Sequence, residues 1–287
     1  LQITELLRLR CEGISFTEAE IRERLNAEHE RQGAEHTAQT GGSIAVLPLF
    51  GIISHRMNLI SESSGGTSIE KFTSRFRQLV GDSTIGSIVL DVDSPGGGVS
   101  GVEELAAEIF AAREKKRIVA VANSLAASAA FWIGSAAGEF VVTPSGEVGS
   151  IGVLAVHEDF SVAEEKFGIK TTIIKAGKFK AEGNSSEPLS EEARENIQAR
   201  VDAYFDVFVK NVARNRGVPV ATVKKDFGEG RVFGARQALG AGMVDRIATL
   251  DQTIDRVSRT REQSAGRRAQ SADLEMRRRR LNLRVAS

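Results

Sequence analysis

Three short segments of this chain carry groups that could do chemistry. Asp93-Ser-Pro-Gly-Gly-Gly98 follows the apolar run Ser87-Ile-Val-Leu-Asp-Val92. Glycines placed after a strand can bring bare backbone N–H groups close to a ligand, which suits an oxyanion hole or a phosphate site. The run is neither Gly-x-Gly-x-x-Gly nor a P-loop with its Lys-Ser/Thr, which argues against a nucleotide; a tight turn is the plain alternative. Asn123-Ser-Leu-Ala-Ala-Ser-Ala-Ala-Phe-Trp132 sets Ser128 where a strand ends and a helix of small residues begins. A hydroxyl there lies in the positive field of the helix N-terminus, and the Ala129 N–H beside it can stabilise an oxyanion. A serine among alanines otherwise serves packing. Ala176-Gly-Lys-Phe-Lys-Ala-Glu-Gly183 offers Lys178 and Lys180 just beyond a strand, where lysines are ordinarily solvated charges.

Other constellations are thinner. His157, in Ala-Val-His-Glu-Asp-Phe, invites a Ser-His-Asp reading with Asp159, but no motif places it beside Ser128. Cys11 is the only cysteine, which excludes an intrachain disulfide, a Cys-x-x-Cys pair and any multi-cysteine zinc site. The four histidines form no helical metal pair. No structural metal and no cofactor is expected.

The elements that must position these groups follow from periodicity. Ile44-Ala-Val-Leu-Pro-Leu-Phe50 reads as a buried strand, and Ser68 to Val80 puts Ile69, Phe72, Phe76 and Leu79 on one helical face. Residues 87–92, 118–122, 139–142 and 170–175 read as further strands. Helices are expected with Val102, Leu105, Ile109 and Phe110 at core spacing, over the small residues 126–136, and after the Ser190 cap. The last has a stripe of Ile197, Val201, Tyr204, Phe205, Phe208 and Val212. Alternating strand and helix predicts an α/β fold with a mainly parallel sheet and flanking helices. Ligand sites in such sheets lie beyond the carboxyl ends of the strands, where all three chemical segments fall.

Taken together and in order, Asp93 to Val99, Ser128 in Ala-Ala-Ser-Ala-Ala-Phe-Trp, Gly149-Ser-Ile-Gly-Val153 and Gly177-Lys-Phe-Lys180 resemble the S49 serine peptidases, the signal peptide peptidase A family. Residues 232–247 resemble that family's closing element, so the likeness covers about 44–250. It implies a ClpP/crotonase-like fold and a Ser-Lys dyad. On the family's motifs the nucleophile maps onto Ser128 and the general base onto Lys180, with Lys178 the competing lysine. Gly97 resembles the second oxyanion donor beside Ala129, although Ala129 and Ala130 replace the commoner Gly-Gly. A free lysine titrates near ~10.4 and serves as a base at neutral pH only where desolvation lowers that value to about 7–8. Phe131, Trp132 and Phe179 are the candidates to supply a dry setting.

The segment after residue 176 and the Arg-rich end look like those of phage or prophage head-maturation proteases. A protein substrate such as coat or scaffold, self-cleavage, a homo-oligomer with residues shared across subunits, and the host cytoplasm inside a procapsid are the corresponding expectations. The alternatives are a membrane-associated cellular signal-peptide peptidase, a non-enzymatic capsid scaffold, and a crotonase-type acyl-CoA enzyme.

Composition frames this reading. Over 287 residues, 38 Lys+Arg balance 38 Asp+Glu. The neutrality is an average, since residues 256–287 hold ten Arg and three acidic side chains, net +7, leaving −7 for the rest. The expected organisation is a helical N-terminal arm and linker over 1–43, a peptidase domain over 44–250 and a flexible basic tail over 251–287. The tail is expected to solubilise or to dock on an acidic protein surface. Without accompanying aromatics a nucleic-acid role is disfavoured. The uncharged run 118–138 is long enough to cross a bilayer, but its Ala, Ser, Gly and Asn content argues against a membrane span.

Overall fold

In the computed structural model, residues 43–57 and 65–259 are described. The expected N-terminal helix and the Arg-rich end lie outside them. Strands β1 (Ser43–Ser54), β2 (Thr67–Ser68), β3 (Ile85–Gly97), β4 (Arg117–Ala127), β5 (Glu139–Val142), β6 (Glu147–Gly149), β7 (Val232–Gly234) and β8 (Arg246–Ile247) join in one sheet. Its order is β2-β1-β3-β4-β5-β8, with β6 pairing the far end of β4 and β7 pairing β6. All pairings are parallel except that of β6 with β7.

Helices α1 (Ile69–Gly81), α2 (Val102–Ala112), α3 (Ala129–Ser135), α4 (Ser161–Lys166), α5 (Glu191–Arg216), α6 (Val220–Asp226) and α7 (Ala235–Ala241) connect and flank the strands. This is the helix-flanked, mainly parallel sheet that the ClpP/crotonase-like expectation requires. The two-residue strand period assigns the faces. Ile88, Leu90 and Val92 of β3 and Ile118, Ala120 and Ala122 of β4 meet Phe72 and Phe76 of α1, Leu105 of α2 and Phe208 of α5. Val89, Val119 and Val121 point the other way, against Ile44, Val141, Leu250 and Val257. A parallel sheet covered on both faces needs such unbroken apolar runs.

Local chemistry sets the helix ends. Ser68 caps α1 by accepting the Lys71 N–H, and Ser190 caps α5 by accepting the Ala193 N–H. Gly217, left-handed at φ 66°, closes α5. The expected α5 stripe divides: Phe208 and Val212 are buried, whereas Tyr204 is 43% exposed. Phe208 stacks on Trp132 of α3 with ring centroids 4.6 Å apart.

Three boundaries differ from the sequence reading. The strand expected to stop at Ala122 runs to Ala127, because β6 supplies a partner for Leu125, Ala126 and Ala127; α3 accordingly begins only at Ala129. The strand expected over 170–175 does not form. Residues 150–160 and 169–175 lack a ladder among the described residues, and the segment leaves Leu154, Val156, Phe167 and Ile174 exposed, the last at 95%. Finally, residues 250–259 are helical and pack Leu250 and Val257 on the second face, so ordered structure passes residue 250, where the tail was expected to begin. No helix among the described residues is long and apolar enough to cross a membrane.

Candidate active site

The carboxyl ends of β3, β4 and β6 converge, with Ser94 opposite Ala126 and Ala127 opposite Gly149. Between the end of β4 and the start of α3 stands one residue, Ser128, at φ 53° and ψ −123°. That backbone region is costly for a side chain and persists only where its surroundings impose it. A strand-to-helix turn of this kind lifts a nucleophile clear of the sheet in α/β-hydrolases. The Ser128 N–H donates to the Gly149 carbonyl at 2.8 Å and its carbonyl accepts from Trp132 at 3.0 Å, so both sides of the turn are fixed. Its hydroxyl is not spent on capping α3.

Two glycines of the 93–98 run play different parts. Gly96, at φ +98°, lies against the serine: a Cβ there would stand 2.7 Å from Ser128 Cβ and 2.9 Å from the Ala127 carbonyl oxygen. Gly97 faces β1, and a Cβ on it would fall 2.0 Å from the Ile53 carbonyl oxygen. The Gly96 N–H donates to Ser94 Oγ at 3.1 Å and the Gly98 N–H to the Ile53 carbonyl at 2.9 Å. Successive N–H groups of extended backbone point to opposite sides, which directs the Gly97 N–H away from β1, toward the β4 side where Ser128 stands. Ala129 opens α3, where the first N–H groups have no intrahelical acceptor, and its nitrogen would lie 3.1 Å from a Gly96 Cβ. Below the serine, Asp93 Oδ1 accepts the Leu125 N–H at 3.2 Å and Asn123 donates to Asp91 at 3.1 Å, bracing β3 on β4.

Among the described residues neither lysine is hydrogen-bonded to this cluster. Lys180 sits in an exposed turn closed by its own N–H to the Gly177 carbonyl, and its side chain has no polar partner among the described residues. Lys178 Nζ, in contrast, pairs with Glu192 at 2.8 Å and lies 4.5 Å from the centre of the Phe179 ring. Phe131 and Trp132 are buried as a dry surround requires, but Phe179 is 51% exposed.

The histidine alternative finds no support in the geometry. His157 Nε2 is 2.9 Å from the Asn184 carbonyl oxygen. Asp159 accepts the Ser161 N–H at 2.9 Å, and the hydroxyl and N–H of Ser161, with a lesser contribution from His157, hold its carboxyl below the usual range. His157 thus ties its segment to that of Asn184, and Asp159 closes the turn into Ser161. Among the described residues no group of three His, Cys, Asp or Glu side chains could hold a metal ion. Sequence reasoning passed over Ser94, Gly96 and the Gly149 carbonyl. All three lie in motifs it quoted, but their roles depend on register at the strand ends.

Comparison with known proteins places this geometry in a group. The profile described as Peptidase family S49 matches residues 111–264. The "Capsid assembly protease C" of Escherichia phage lambda is 33% identical over 224 residues, 78% of this chain and 50% of the relative. The "Head-tail preconnector protein GP5" of Enterobacteria phage P21 is 33% identical over 74% of this chain and 42% of the relative. A "Putative signal peptide peptidase SppA" of Enterococcus faecium is 28% identical, covering 79% of this chain and 67% of the relative. The chain spans about half the length of the two phage relatives.

Proposed function

We propose, from the premise that this chain belongs to peptidase family S49 and is a serine peptidase, that Ser128 is its nucleophile and Lys180 its general base. The observation that carries the reading is the forced conformation of Ser128, held at positive φ with its hydroxyl not spent on capping α3 and Gly96 against its Cβ. In this mechanism neutral Lys180 takes the hydroxyl proton as Oγ attacks a peptide carbonyl. The tetrahedral oxyanion is held by the N–H groups of Gly97 and Ala129. Lys180 returns the proton to the leaving amine, and water then hydrolyses the acyl-serine. Lys180 is preferred to Lys178 because it closes the Gly-Lys-Phe-Lys motif and because Lys178 is held by Glu192.

The same reading makes the working unit a homo-oligomer. Residues 152–180 carry exposed Leu154, Val156, Phe167 and Ile174 beside Lys180, and an exposed apolar stretch of that size is a common mark of an interface. Docked on a second copy, the segment would lose water from its apolar side chains and bring Lys180 to a neighbour's Ser128.

The relatives named "Capsid assembly protease C" and "Head-tail preconnector protein GP5" support a substrate class: coat or scaffold protein, and the chain's own termini, cut inside a procapsid in the host cytoplasm. Intact-mass analysis of wild-type and Ser128→Ala protein incubated with candidate phage coat and scaffold proteins tests this. Defined fragments with wild type and none with Ser128→Ala are expected. Equal processing by both would remove the peptidase role, and cleavage of signal peptides but of neither head protein would favour the cellular alternative.

A further inference from the structure

Ser94 is fully buried, at 0% exposure, although it is polar and its chain neighbours Asp93 and Pro95 are exposed. Its hydroxyl donates to the Gly51 carbonyl at 2.6 Å and accepts the Gly96 N–H at 3.1 Å. Each end of this bridge is fixed. Gly51, at φ +64°, occupies the register shift between Phe50 and Ile52 on β1. A Cβ on Gly51 would fall 1.9 Å from the Gly65 carbonyl oxygen, and Phe50 beside it exchanges two hydrogen bonds with Thr67 Oγ1, at 3.0 and 2.8 Å. At the other end a Cβ on Gly96 would meet Ser128 Cβ at 2.7 Å, and with the Gly98 N–H given to the Ile53 carbonyl of β1, strand alternation leaves the Gly97 N–H on the side away from β1.

We infer that Ser94 is a positioning residue for the oxyanion hole: its hydroxyl sets the plane of the peptide entering Gly96 and thereby aims the Gly97 N–H. This deepens, and rests on, the assignment of Gly97 as an oxyanion donor. The physical reason is that positive φ at Gly96 is one of several conformations open to a glycine. A turn of three glycines has little stiffness of its own, and preorganised donors are what make an oxyanion hole effective. A bridge from a fixed carbonyl selects one conformation before substrate arrives. The hydroxyl is suited to this because it donates and accepts at once.

The test uses the full chain. Peptide hydrolysis, and the rate at which a fluorophosphonate phosphonylates Ser128, are measured for wild type, Ser94→Ala and Ser94→Cys. In Ser94→Ala kcat and the phosphonylation rate should both fall about 10- to 100-fold, less than or equal to the loss of a whole oxyanion donor. KM should stay within about twofold and the acidic limb of the pH profile should not move. Ser94→Cys keeps the volume with a weaker donor and should fall between the two; it carries the same prediction should Ser94→Ala not fold. A kcat within about threefold of wild type in a folded variant, or a rise in KM that accounts for the loss, would overturn the role of Ser94. Absence of any Ser128 adduct in the wild type would instead overturn the peptidase assignment beneath it.

Discussion

Gly96→Ala probes the contact on which the site depends, and its effect can be worked from the structure. The new Cβ would stand 2.7 Å from Ser128 Cβ, whereas carbon atoms settle at about 3.5–4.0 Å, so the glycine turn and the serine must separate by roughly 1 Å. Alanine at φ +98° adds backbone strain of about 1–3 kcal/mol. A displacement of ~1 Å between nucleophile and oxyanion donors costs on the order of 10²-fold in rate. Gly81→Ala is the matched control, since a Cβ there meets nothing within 4 Å. Rates of Ser128 phosphonylation and of peptide hydrolysis, with thermal unfolding alongside, should show a loss of about 100-fold for Gly96→Ala and none for Gly81→Ala. Activity of Gly96→Ala within about threefold of wild type would refute the reading in which the glycine turn is held against a nucleophilic Ser128.

Removing the ring that stacks on Trp132 should loosen the floor of the site: Phe208→Ala is expected to cost about 3–5 kcal/mol in denaturant unfolding, and a loss below about 1 kcal/mol would contradict the packing of α5 on α3. Asp245 accepts hydrogen bonds from Arg216 and the Phe140 N–H. Burial opposes its ionisation, but those bonds and the charges of Arg216 and Arg113 outweigh it and hold the carboxyl below the usual range. A depressed folded value stabilises the fold above the unfolded value of about 3.9 and ceases to do so as pH falls through the folded value. With its side chain 40% exposed to screening solvent, Asp245→Asn should lose only about 0.5–1 kcal/mol at neutral pH and show a shallower decline below about pH 4; an acid-unfolding curve identical to wild type would count against it. If the proposed homo-oligomer is the working unit, Phe167→Asp combined with Ile174→Asp, both on exposed positions, should leave circular dichroism unchanged while yielding a monomer and abolishing hydrolysis. A fully active monomer would contradict a site completed by a second copy.

Much of the fold was legible because β1, β3 and β4 are nearly continuous apolar runs and α1 repeats its apolar face at helical spacing. Motif order singled out Ser128, and the structure sets it alone between β4 and α3. The end of β4 was not, because Ala-Ala-Ser-Ala-Ala suits either strand or helix, and the edge of β6, distant in sequence, decides between them. Lys170 to Lys175 has the composition of a strand, yet its single chain offers it no partner edge among the described residues. The distinction between Gly96 and Gly97 could not be read from three identical residues; it required the register shifts at Phe50/Ile52 and Val92/Ser94.

Ser128 acting as nucleophile with Lys180 as its base is tested most directly by mapping the fluorophosphonate adduct by peptide mass spectrometry across pH, in wild type, Lys178→Met and Lys180→Met. The expected result is a single adduct on Ser128, formed at similar rates in wild type and Lys178→Met and slower by orders of magnitude in Lys180→Met. An adduct on another residue, or undiminished labelling of Ser128 in Lys180→Met, would contradict it.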